Sequence, residues 1–180
     1  MTKKCARLIL KRCGWKIADS LQLPAKCVIC IAPHTSNWDF IMGVLFKSAV
    51  GLKAHFFMKK EWFRFPLGNI MRCIGGIPVD RSKKTSLTDQ IAAEFDKHDT
   101  FYIGVTPEGT RKYTEEWKKG FYIIAQKANV PIMLAYIDYA KKELGYGCLF
   151  QLTGDIDADI SEIKAFYKGV SGKKPENFGV

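Results

Sequence analysis

Short extended runs alternate along this chain with stretches whose apolar residues recur at helical spacing. The extended runs fall at residues 28–32, 55–58, 76–79, 100–105, 132–137 and 148–152, and their content of β-branched and aromatic side chains predicts strands. Between most of them the period changes. Leu87, Ile91 and Phe95 are four apart, and Ser86 with Asp89 reads as a capping box ahead of them. Trp117, Phe121, Ile124 and Ala128 make a stripe that ends at Asn129, just before Val130-Pro131. Ile160, Ile163, Tyr167 and Val170 make a third, after Asp155, Asp157 and Asp159, whose charges suit a helix N-terminus. Strands in alternation with helices predict one α/β domain with a central, mostly parallel sheet flanked by helices. At 180 residues the chain can bury a substantial core, and no repeat or low-complexity linker divides it.

The N-terminus has a different character, so residues 1–26 are read as a basic amphipathic segment ahead of a main domain over 27–180. Seven basic residues stand there against Asp19 alone, a large share of the net charge of +10. That asymmetry favours a polyanionic partner, either nucleic acid or an anionic membrane. Over residues 3–18 a helix would carry Ala6, Ile9, Leu10, Cys13 and Ile17 on one face, with Lys4, Arg7 and Lys11 on one edge and Arg12 and Lys16 on the other. This is the pattern of a helix lying in a membrane interface. It is also the pattern of an ordinary helix packed on its domain with basic edges in solvent. No run of 18 apolar, uncharged residues predicts a spanning helix, and Lys11 and Arg12 interrupt any secretory h-region. The six cysteines lack a disulfide-framework spacing, which points to a reducing compartment.

Candidate chemistry starts at Pro33-His34-Thr35-Ser36-Asn37-Trp38-Asp39, directly after the first extended run. Sites in open α/β sheets collect at the carboxyl ends of strands. On one continuous helix, residues five apart would point about 140° from each other. The pair can meet if His34 lies in the loop and Asp39 in the first turn of the next helix, with Ser36 or Asn37 as N-cap. Asp39 would then orient His34 through one ring nitrogen and leave the other to take a proton, a base and orienter with no protein nucleophile. Two arginines follow strand ends, Arg81 after Gly75-Gly76-Ile77-Pro78-Val79-Asp80 and Arg111 after Thr106-Pro107-Glu108-Gly109-Thr110. Brought to the same sheet edge, their guanidinium groups would suit a phosphate.

Taken in order, His34-x4-Asp39, Gly76-Ile77-Pro78-Val79-Asp80-Arg81, Pro107-Glu108-Gly109-Thr110-Arg111 and Val130-Pro131-Ile132 resemble the four blocks of the glycerolipid acyltransferase family, which includes lysophosphatidic acid acyltransferases. The rest of the chain resembles a compact bacterial subgroup. The resemblance implies an O-acyltransferase that moves a fatty acyl group from acyl-CoA or acyl-carrier protein to the hydroxyl of a lysophospholipid. It implies His34 as general base and Asp39 as its orienter. Glu108, Gly109, Thr110 and Arg111 would shape the acceptor site, Arg81 would join in binding its phosphate, and Lys59 resembles a position near that phosphate. The fold implied is a mainly parallel sheet flanked by helices, with an apolar tunnel for the acyl chain. No metal or redox cofactor is implied. An anionic membrane surface would be met through residues 3–18, which places the protein in the cytoplasm, peripheral on the inner face of the membrane. Backbone N–H groups at the start of the helix after His34 are candidates for holding a tetrahedral oxyanion.

Other readings draw on the same residues. Cys27-x2-Cys30-x3-His34 has metal-ligand residue types, with Cys73 or His55 as a fourth, but Cys27 and Cys30 in an extended strand would point to opposite faces. A thioredoxin-type site would want its Cys-x-x-Cys at a helix start. Phe56, Phe57, Trp62, Phe63 and Phe65 interleave with Lys59, Lys60 and Arg64 as in a nucleic-acid surface, yet no nucleic-acid module is recognisable, and no nucleic-acid partner is expected. A catalytically silent lipid-binding module and an acyltransferase for an amino-acid-based lysolipid remain as alternatives.

Overall fold

The computed structural model describes residues 1–19, 21–79 and 86–180. Helix α1 (Lys3–Arg12) and strand β1 (Lys16–Ala18) come first, followed by β2 (Lys26–Ala32), α2 (Trp38–Val50) and β3 (Ala54–Lys59). A 3-10 turn at Lys60–Phe63 leads to α3 (Leu67–Cys73), β4 (Gly76–Val79), α4 (Leu87–Asp96) and β5 (Phe101–Val105). The chain then forms α5 (Gly120–Lys127), β6 (Ile132–Asp138), β7 (Glu143–Phe150), α6 (Ile156–Phe166) and a 3-10 turn at Pro175–Asn177.

The seven strands form one sheet in the order β1-β7-β6-β2-β5-β3-β4, parallel except where β6 meets β7. β2 is central, paired in parallel with β5 on one side and β6 on the other. A strand covered on both faces reads as a continuous apolar run, which explains Val28-Ile29-Cys30-Ile31-Ala32. Side chains alternate between two cores. Cys30 points into the one that holds α4, α5 and α6, and Cys27 into the one that holds α1 and α2. The two thiols therefore face away from each other, as strand geometry predicts. The sheet is α/β and mostly parallel, as the alternating pattern indicated.

Differences in element boundaries have local causes. The helix drawn over 3–18 stops at Arg12, because Gly14 takes a left-handed φ of 78° and Trp15 N–H turns back to the Leu10 carbonyl. Ile17 then belongs to β1, which pairs with β7. α1 itself buries Ala6 and Leu10 against the domain, while Leu8 and Ile9 stay exposed. β7 begins five residues earlier than its apolar run, after Lys142 at φ 48°. Its glycines hide it from a propensity reading. Gly145 is required by space, since a Cβ there would lie 2.8 Å from both the Ala18 Cβ and the Tyr136 hydroxyl. α6 starts at Ile156, with Asp155 capping the N–H groups of Asp157 and Ala158, so the acidic run is its first turn rather than its preface. α5 begins three residues after Trp117, which is nevertheless buried beside Tyr167.

Candidate active site

β2 delivers the chain to the carboxyl edge of the sheet, and the backbone turns there from Pro33 into α2. Asn37 is the N-cap position of α2, and Asp39 lies in its first turn. The predicted bend therefore forms. His34 Nδ1 sits 3.3 Å from Asp39 Oδ2. The same oxygen accepts the N–H of Thr35 at 2.7 Å and of Ser36 at 2.8 Å. Asp39 Oδ1 accepts the Tyr139 hydroxyl at 2.7 Å. Asp39 is 4% exposed. Burial alone would raise its pKa, but the donors from His34, Tyr139, Ser36 and Thr35 outweigh it and hold the carboxyl below its usual range. A carboxylate that stays ionised at neutral pH favours the His34 tautomer with its proton on Nδ1, which leaves Nε2 as the acceptor nitrogen of the ring.

The loop after β5 closes on this bend. Glu108 is buried, and its Oε1 accepts the His34 backbone N–H at 2.7 Å. Its Oε2 has no hydrogen-bond partner among the described residues. Burial is the main influence on the Glu108 carboxyl and raises its pKa, against the lowering effect of that N–H. Gly109 follows at φ 63°, the left-handed region that glycine enters at least cost, and Lys118 approaches where a side chain would be. Thr110 Oγ1 accepts the Lys112 N–H at 3.2 Å. Arg111 donates to the Asn37 side-chain oxygen, which places its guanidinium at the start of α2.

Of the predicted site residues, His34, Asp39 and Glu108 are thus joined by hydrogen bonds, and Arg111 reaches the same loop through Asn37. Gly109 and Thr110 shape the turn between Glu108 and Arg111. Lys59 ends β3, which lies beyond β5 from β2, so about 10 Å of sheet separates it from the His34 strand. It lines a cavity of about 370 Å³ with Glu61, Trp62 and Val79. A second cavity of about 180 Å³ opens near Leu21, Leu52 and Tyr146. Neither is lined by His34. Arg81 lies outside the described residues.

Two features escaped sequence reasoning. Tyr139 is 100 residues from Asp39 in the chain, and it arrives from the turn between β6 and β7, held by its N–H to the Ser171 carbonyl. No spacing rule connects the two. The C-terminal segment also covers the bend, with the Lys174 N–H on Thr35 Oγ1 at 3.1 Å and Lys173 Nζ 4.5 Å from the Trp38 ring centre. The oxyanion expectation is narrowed, because four of the N–H groups around the start of α2 are already engaged. The N–H groups of Thr35 and Ser36 are engaged by Asp39, that of Trp38 by Ser36 Oγ, and that of Asp39 by the Ser36 carbonyl. These donors hold the bend together and are not free for a substrate.

With that geometry in view, comparisons with known proteins are specific. A family model described as Acyltransferase matches residues 16–137. No curated protein matches the chain significantly. Among solved structures, the fold resembles that of the 1-acyl-sn-glycerophosphate (LPA) acyltransferase PlsC from Thermotoga maritima. The TM-score is 0.65 at 17% identity, covering 93% of this chain and 76% of that one.

Proposed function

The chain belongs to the acyltransferase family, and from that premise we propose that it transfers a fatty acyl group from a thioester, acyl-CoA or acyl-carrier protein, to the hydroxyl of a lysophosphatidic acid-like lysophospholipid. The observation that carries this reading is the His34–Asp39 pair, a histidine held through Nδ1 by a buried carboxylate.

His34 Nε2 takes the proton of the acceptor hydroxyl as its oxygen attacks the thioester carbonyl. The oxygen–carbon bond forms, the carbonyl electrons move onto oxygen, and a tetrahedral intermediate results. Collapse breaks the carbon–sulfur bond, and the imidazolium returns the proton to the leaving thiol. Asp39 stabilises the imidazolium between these events without taking the proton itself. General-base assistance of this kind contributes about 10²–10⁴-fold in rate. Arg111, at the positive end of α2, meets the acceptor phosphate, and Arg81 and Lys59 assist it there. Glu108 holds the backbone of the base in place. A lysolipid acceptor is a bilayer component, so the reaction takes place at a membrane surface.

The test is a thiol-release assay with both donor classes over a panel of lysophospholipids and amino-acid-based lysolipids. The proposal expects thiol release that depends on a phosphate-bearing acceptor. Release with amino-acid-based lysolipids alone reassigns the acceptor, and lysolipid binding without any release reduces the protein to a silent lipid-binding module.

A further inference from the structure

The surface next to the site carries a feature that acyl transfer chemistry does not use. β3 runs parallel to β2 and β5, so Lys59 emerges at the sheet edge where His34 sits. The chain beyond it is hardly covered. In residues 61–70 only Gly68 is buried and only Phe63 is half-buried. Phe65 is 88% exposed, Trp62 53% and Ile70 54%, and Leu67 is exposed beside them. α2 adds Trp38 and Ile41, both exposed, from its first turns. Phe40, in the first turn of α2, packs edge-on against Phe56 of β3 at 5.1 Å, and Lys47, in the last turn, donates to the carbonyls of Ala54 and Ile74, so α2 lies along β3 and reaches the end of α3. Exposed apolar side chains gathered in this way mark a binding surface.

We infer that this surface, formed by the 3-10 turn at Lys60–Phe63, α3 and the start of α2, docks the protein on an anionic phospholipid bilayer. The charges around it name the occupant. Lys60, Arg64 and Arg72 accompany the apolar residues against Glu61 alone. Arg72 lies over the Phe63 ring at 5.4 Å, and Lys173 over the Trp38 ring. Tryptophan and phenylalanine among arginine and lysine suit the boundary between headgroups and acyl chains, where rings enter the apolar layer and cations meet phosphates. A second copy would bring the same positive charges against these. An acidic carrier protein would answer the cations but leave Phe65 without an apolar partner. The inference moves the main membrane contact away from α1, which turns Ala6 and Leu10 into its own domain. It gives the lysolipid acceptor of the proposed function a route from the bilayer to His34, and it rests on that reading for its purpose alone.

Co-sedimentation with vesicles tests it, using phosphatidylcholine with and without phosphatidylglycerol at physiological ionic strength. The full chain is expected to bind the anionic vesicles and to lose binding in high salt. Phe65→Asp combined with Ile70→Asp should weaken partitioning by on the order of tenfold or more, with an unchanged circular dichroism spectrum. Leu8→Asp, on the exposed side of α1, should weaken it much less. Trp62→Ser gives an independent reading from outside α3. The inference is overturned by a wild-type chain that ignores anionic vesicles, by a double variant that binds as the wild type does, or by loss of binding in Leu8→Asp alone. It is equally overturned if the double variant instead loses a dimer seen in the wild type, or loses carrier-protein binding, while vesicle binding persists. Vesicle binding requires no turnover, so failure of acyl transfer with every acceptor would remove the proposed function and leave this result standing.

Discussion

Asp39→Asn isolates the role of charge in the His34–Asp39 pair. Thr35 and Ser36 both point their N–H groups at Oδ2, so the asparagine amide has only one workable orientation. Its carbonyl oxygen must face those two donors and the His34 ring, and its NH₂ must face Tyr139, whose hydroxyl can turn to accept. The bend therefore survives, and Nδ1–H keeps an acceptor. What disappears is the negative charge beside the imidazolium. With charge centres about 4 Å apart and an effective dielectric constant near 20, that interaction is ~4 kcal/mol. Some of it is recovered by water, so kcat should fall by about 10²–10³-fold. KM for the acceptor should change little, because the carboxylate faces the base and not the substrate. Replacing four charge-assisted hydrogen bonds by neutral ones should also lower unfolding stability by about 2–3 kcal/mol. The pH dependence has a definite sign. Asp39 has a folded-state pKa below its unfolded value, so its contribution is present above the unfolded value near pH 4 and is lost as pH falls through the folded one. The variant should flatten the acid limb of the stability curve. Thiol-release kinetics and urea unfolding at several pH values read these quantities. A folded variant with kcat within a few-fold of wild type would refute the argument.

Three further predictions concern the residues around the pair. Tyr139→Phe removes one donor from a buried carboxylate and should cost about 1.5–3 kcal/mol in urea unfolding, with a smaller fall in kcat than Asp39→Asn; unchanged stability would mean that Asp39 does not depend on Tyr139. Glu108→Gln keeps an acceptor for the His34 N–H and should retain much of kcat, whereas Glu108→Ala leaves that N–H unpaired and should lower stability by about 1–3 kcal/mol and turnover with it; equal activity in the two variants would contradict the bracing role. Arg111→Ala should raise the KM for a phosphate-bearing acceptor far more than it lowers kcat, read from acceptor saturation curves, and an unchanged KM would dismiss the phosphate contact.

Much of the site was legible because its core is local. Four residues separate His34 from Asp39, and the bend that joins them follows from a strand end, a helix start and an acidic residue in a first turn. Glu108 and Arg111 reach the same bend because β5 is the hydrogen-bonded neighbour of β2, so their loop emerges beside it. Tyr139 and the stretch around Lys173 and Lys174 could not be read in this way, since their contacts depend on how the turn after β6 and the C-terminal segment fold back over the sheet edge. The strands were legible where they were apolar on both faces. β7 was misplaced because Gly145 and Gly147 serve close approach of neighbours, which propensity counts against a strand. The membrane-like pattern of residues 3–18 reflected two elements in one, a helix that buries Ala6 and Leu10 and a strand that takes up Ile17. The surface at Trp62 and Phe65 read as interleaved aromatic and basic residues in the sequence, but its exposure, and the part Ile70 takes in it, could be seen only in the fold.

Thiol release by His34→Ala, measured at saturating donor and acceptor, tests the central claim most directly. If the His34 imidazole is the base, turnover falls at least about 10²-fold, while vesicle binding and circular dichroism stay near wild type and unfolding stability falls only by the loss of one donor to Asp39, about 1.5–3 kcal/mol. Turnover close to wild type in that folded variant would show that another group removes the acceptor proton.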